Sequence, residues 1–133
     1  MLGRLFTITA LAAALSLAPS RTAAAQGAQP AKPKGTERTV TGTVIDVSCK
    51  FGQQGLSGTD HRMCAQVCAD KGIPLAILGS DGHLYVPTSA AMPGDGQNER
   101  LKEFAEQDVT VTGTVFPAGG ASAIQIASIR RKA

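Results

Sequence analysis

Aromatic side chains are scarce in this chain, which holds no tryptophan, one tyrosine and four phenylalanines. Beyond the N-terminal segment only Phe51, Tyr85, Phe104 and Phe116 remain. Proteins that grip single-stranded nucleic acid stack its bases on aromatic faces. Phe104 and Phe116 fall at expected core positions, so Phe51 and Tyr85 alone would make a poor platform. Basic charge is also missing from the body of the chain. Between Thr39 and Ile129 there are five Lys/Arg and nine Asp/Glu, a net of −4, and the remaining basic residues gather near the ends. A mildly acidic body repels phosphate backbones, so nucleic acid is not an expected partner. No G-x-S-x-G elbow marks a hydrolase. The short run "PGDGQ" (93–97) neither precedes a lysine nor follows a clear strand, which sets aside a phosphate-cradling loop. No long apolar run follows the first twenty residues, so an integral membrane protein is not expected.

That first apolar run reads as a secretory signal. Arg4 gives a positive start, Leu5 to Ala18 are mostly apolar, and Ala23-Ala24-Ala25 offers small residues for cleavage before Gln26. About 14 apolar residues are too few for a membrane span, which needs about 20. No cysteine stands at the cleavage point and a single arginine gives no twin-arginine signal, so a soluble periplasmic or secreted protein is expected. Cleavage removes Arg4 and Arg21 and leaves 11 basic against 10 acidic residues. Residues 26–38, "QGAQPAKPKGTER", read as a flexible leader. One small domain is expected over residues 39–130, with a basic tail at 131–133.

Inside that domain the pattern is mainly β. "TVTGTVIDV" (39–47) alternates branched and small residues, and "PLAILG" (74–79), the turn "SDG" and "HLYV" (83–86) read as a hairpin. A loop follows, then Asn98 as the cap of a short helix whose Leu101, Phe104 and Ala105 make a buried stripe. "DVTVTGTVF" (108–116) and "SAIQIASI" (122–129) are the last two strands. Val40-Thr-Gly-Thr-Val44 recurs as Val111-Thr-Gly-Thr-Val115, and a glycine in mid-strand permits the sharp bend that closes a small barrel. The order predicts a five-stranded OB-like barrel, with a helix in the first connection and a short one between strands 3 and 4.

The chain's sparse His and Cys are concentrated in that first connection. "TDHRMCAQVCADKG" (59–72) is punctuated as a helix, with Thr59 or Asp60 as N-cap and Gly72 past its end. His61, Cys64 and Cys68 stand at i, i+3 and i+7 and so share one face, while Cys49 follows the first strand. Three readings arise. Three thiols and one imidazole match the closed set of structural zinc, and equally suit Cu(I). A disulfide from Cys49 to Cys64 or Cys68 fits an oxidising compartment, although it strands the third thiol. Thiol redox chemistry, with His61 activating Cys64, lacks a fixed orienting carboxylate. His83 is expected at a solvent-facing hairpin end, and Met63 and Met92 read as packing residues before they read as copper ligands.

The segments "GTVIDVSC" (42–49), His61-x2-Cys64-x3-Cys68, "KGIPLAIL" (71–78), "LYV" (84–86), "LKEFAEQDVTVTGTV" (101–115) and "IQIASI" (124–129) resemble a loosely defined group of small exported bacterial proteins with an OB-like domain. That group has no firmly established function. The resemblance implies that Cys49, His61, Cys64 and Cys68 act as a set. The expectation is therefore a non-enzymatic exported binding protein that holds Cu(I) or Zn(II) at a Cys3His site, with another exported protein as a further candidate partner. The alternatives are a disulfide-stapled OB-like module for a small molecule or protein, and a thiol redox protein.

Overall fold

The computed structural model describes residues 34–53, 55–118 and 121–133. The expected signal peptide and residues 26–33 of the expected leader lie outside the described residues. Five strands form a closed barrel: β1 (Thr36–Asp46), β2 (Leu75–Gly79), β3 (Leu84–Pro87), β4 (Asp108–Ala118) and β5 (Ala121–Arg131), in the order β1-β2-β3-β5-β4. All neighbours run antiparallel except β3 and β5, which pair parallel from Tyr85 opposite Ser122 to Pro87 opposite Ile124. This is the five-stranded OB-like arrangement that the element order predicts.

The alternation of valine and threonine explains which way the strands face. Val40, Val44, Val109, Val111 and Val115 are buried together with Leu75, Ile77, Tyr85, Ile124 and Ile126, and Leu101 and Phe104 pack into the same core. Side chains of period two line one face of a strand, so the threonines between these valines turn outward. The two Thr-Gly-Thr segments meet a common steric demand. A Cβ on Gly42 would collide with the Leu78 carbonyl, and one on Gly113 with the Gln125 carbonyl. The β4–β5 register also shifts between Thr112 and Gly113, which marks a bulge at the second glycine. Gly42 lies where β1 passes from pairing with β4 to pairing with β2.

The hairpin "SDG" turn is closed by Gly79 N–H donating to the His83 carbonyl at 2.9 Å, with Gly82 at φ 79°. His83 is exposed there, as expected. Among the described residues three short helices accompany the barrel: α1 (Val47–Gly52), α2 (Arg62–Asp70) and α3 (Asn98–Leu101), the last running into a 3-10 turn at Lys102–Phe104. The stripe of Leu101, Phe104 and Ala105 is buried as the spacing predicts. Phe116, expected in the core, is only half-buried.

Asn98 departs from its expected role. It makes no cap bond to α3; instead its Nδ2 donates to the Ala69 and Ile73 carbonyls at 3.0 and 2.8 Å, and its Oδ1 accepts from Leu75 N–H at 3.0 Å. The side chain therefore ties the end of α2 to the start of β2. Farther along α2, Arg62 donates to the Glu103 carbonyl at 2.8 Å and Gln66 to the Lys102 carbonyl at 3.1 Å. These bonds hold α2 against the α3 segment and orient its cysteines. None of the described helices is long and apolar enough to cross a membrane.

Candidate metal centre

β1 ends in Asp46, and the chain does not continue as strand or loop, as its pattern suggested, but turns at once into α1. The Asp46 carboxylate is the N-cap: Oδ1 accepts from Cys49 N–H at 3.0 Å. Capping satisfies a donor that the first helical turn leaves free, and here it fixes Cys49 beside the strand end, buried at 8% exposure. The second segment enters through a 3-10 turn, Thr59–His61, that runs directly into α2. Neither Thr59 nor Asp60 caps it. The residue before the turn is Gly58, at φ 97°, and no side-chain cap bond forms. Gly72, at φ 87°, closes the far end as predicted.

Along this segment the shared face of His61, Cys64 and Cys68 is graded. His61 is buried, Cys68 half-buried and Cys64 exposed, while Ala65 and Ala69 point into the protein and Met63 and Val67 outward. Two groups of ligand atoms, each within 4.8 Å of one another, meet at Cys49: Cys49 with His61 and Cys64, and Cys49 with Asp46 and Cys68. Each of the four predicted residues therefore enters one of two groups that share Cys49: His61 and Cys64 fall in one, and Cys68 falls in the other, beside Asp46. The three cysteines are free thiols.

Glu106 is a further member that the sequence did not indicate. The stretch Ala105–Gln107 is pinned to β1: Val44 N–H donates to the Gln107 carbonyl at 3.1 Å, and Glu106 N–H to the Val44 carbonyl at 2.7 Å. Glu106 adopts φ 58° there, the left-handed region that few non-glycine residues occupy. Its carboxylate is buried among donors. Oε2 accepts from Gly58 N–H at 2.7 Å, and Oε1 lies 3.3 Å from His61 Nδ1 and 3.5 Å from Asp46 N. A carboxylate on one imidazole nitrogen holds the proton there and presents the other nitrogen as a lone pair. That other nitrogen, His61 Nε2, is buried without a hydrogen-bond partner among the described residues, as is Asp46 Oδ2.

Cys49 and Cys68 are kept protonated by this environment. Desolvation first, then the Asp46 charge, pushes Cys49 above the usual thiol value. Cys68 is pushed up to about 12, first by hydrogen bonding to the Asp46 carboxylate and then by burial. Such thiols are poor nucleophiles at neutral pH, because the thiolate is the reactive form. They become ligands when a cation displaces their protons. The buried polar residues among those described, Asp46, His61 and Glu106, all belong to this one place. Two carboxylates beside one imidazole favour the presence of a cation, since buried charge is costly unless it is paired.

Sequence reasoning could have reached Asp46, because an Asp three residues before Cys49 at a strand end has the spacing of an N-cap. Glu106 gave no such signal, as it arrives from 45 residues beyond His61 through a backbone bridge. No family model, no curated protein and no solved structure matches this chain, so the barrel and its Cys/His cluster stand on their own geometry.

Proposed function

We propose that the chain is an exported, non-catalytic binding protein that holds one transition-metal ion, Cu(I) or Zn(II), with Cys49, Cys64 and Cys68 as sulfur ligands and His61 as the nitrogen ligand. The observation that carries this reading is the buried His61 Nε2, which has no hydrogen-bond partner among the described residues while its Nδ1 is engaged by Glu106. An orphaned ring nitrogen inside a protein is costly, and a metal ion is the partner that also accounts for the neighbouring thiols. Bound there, the ion would supply charge compensation and a tie between β1, α1 and α2. Handling or storage of the metal fits this donor set better than acid–base or nucleophilic catalysis.

The test is to purify residues 26–133 from a periplasm without chelator, then to measure bound metal and count thiols on denaturation. Three free thiols with one equivalent of metal are expected. One free thiol and no metal would overturn the reading in favour of the disulfide-stapled module. A mixed disulfide with a partner protein would overturn it in favour of redox chemistry.

A further inference from the structure

Asp46 is wholly buried, and one half of its carboxylate has a clear structural role, since Oδ1 caps α1. The other half does not. Among the described residues Oδ2 has no hydrogen-bond partner beyond the thiols that adjoin this carboxylate, and no lysine or arginine pairs with Asp46. Both oxygens of Glu106, by contrast, are occupied, by the Gly58 and Asp46 N–H groups and by His61 Nδ1. An N-cap needs only one acceptor oxygen, and asparagine serves as well as aspartate, so capping explains a polar residue here but not a buried charge.

Beside this carboxylate lies sulfur. An Asp46 oxygen and the Sγ atoms of Cys49 and Cys68 lie within 4.8 Å of one another. We propose that Asp46 is itself a ligand of that same ion through Oδ2, a fifth donor standing beside Cys49 and Cys68, and that this oxygen makes the cluster selective for Zn(II) over Cu(I). The inference rests on the metal reading above and narrows it. Cu(I) is soft and favours thiolate and thioether, whereas Zn(II) is borderline and accepts carboxylate, imidazole and thiolate together. A dication also compensates the two buried carboxylates more fully than a monocation does.

The Asp46→Asn variant separates the roles, because the amide oxygen keeps the cap to Cys49 N–H while Oδ2 is replaced by a nitrogen that cannot ligate. Zn(II) affinity, measured by competition with a chromophoric chelator, is expected to fall at least about tenfold, a loss of the size that even supporting groups around a metal produce. Cu(I) affinity is expected to stay unchanged. As a second readout on the wild-type protein, the resonance of bound cadmium-113 should lie upfield of the position for a site of sulfur and nitrogen alone. Equal Zn(II) affinity in D46N with the wild type still metal-bound would overturn the ligand assignment and leave the metal reading intact. A cadmium resonance at the sulfur–nitrogen position would overturn it too, even if D46N failed to fold. Wild-type protein that takes up no metal would remove both.

Discussion

Asn98 offers the sharpest quantitative test of how the cluster is held. Its side chain spans three backbone groups, the Ala69 and Ile73 carbonyls and the Leu75 N–H, at 3.0, 2.8 and 3.0 Å. A net hydrogen bond contributes about 1 kcal/mol, so Asn98→Ala should cost about 3 kcal/mol, against about 1 kcal/mol had Asn98 merely capped α3. Urea unfolding followed by far-UV circular dichroism would read the difference directly. In a domain of this size about 3 kcal/mol corresponds to a melting temperature lower by more than about 10 °C. Asn98→Asp refines the test, since it keeps the acceptor for Leu75 but sets a carboxylate against two carbonyls. The introduced carboxyl would have a raised folded pKa, because only its protonated form can donate. Its stabilising contribution would be present below the unfolded value of about 3.9 and lost as pH rises through the folded one. N98D should therefore gain on N98A as the solution is acidified. A cost under about 1 kcal/mol for N98A would refute the three-bond tie.

Other perturbations probe the rest of the molecule. Glu106→Gln, with the fold checked by circular dichroism, should weaken metal binding by about 10- to 100-fold and change the His61 tautomer seen by nitrogen-15 NMR; an unchanged tautomer would mean that Glu106 does not aim the ring. Gly113→Ala and Gly42→Ala force a methyl into a strand carbonyl and should each cost about 1–3 kcal/mol, whereas Gly96→Ala, with open space around it, should be close to neutral. Equal stability of all three glycine variants would contradict the close strand approach. Tyr85 Oη donates to Asp81 Oδ2 at 2.7 Å; this bond, followed by the His83 N–H, holds the Asp81 carboxyl below its usual value, and Asp81 in turn raises Tyr85. The depressed carboxyl stabilises the fold above the unfolded value and loses that effect as pH falls through the folded one, while the raised phenol loses its effect as pH climbs through its folded value above 10. Tyr85→Phe should return the Asp81 titration midpoint upward by NMR, and an unmoved midpoint would show the bond to be absent in solution.

The barrel was legible because strands of period two write themselves in alternating valine and threonine, and because Gly42 and Gly113 repeat within identical neighbours. The cysteine-bearing α2 was equally plain from the i, i+3, i+7 spacing and from Gly72. What escaped had local causes. The α1 segment "VSCKFG" is six residues long and too short to show a helical period. Asn98 carries the same letter whether it caps its own helix or bridges to others, and only the neighbouring chain decides. Glu106 depends on a left-handed backbone at a residue that is not glycine, which no side-chain pattern announces.

The bridge from Val44 to Ala105 has a consequence for how the centre could be copied or transplanted. A synthetic peptide spanning residues 46–70 would contain all three cysteines, Asp46 and the His61 imidazole, yet it would lack the Glu106 carboxylate that turns the ring. That group arrives only when the two ends of the barrel meet, after a loop of some sixty residues has already paid its closure entropy. Such a peptide should therefore chelate more weakly than the domain, with its imidazole free to turn. The aim of the ring belongs to the closed barrel, so the orientation of His61 would report whether the whole domain has folded.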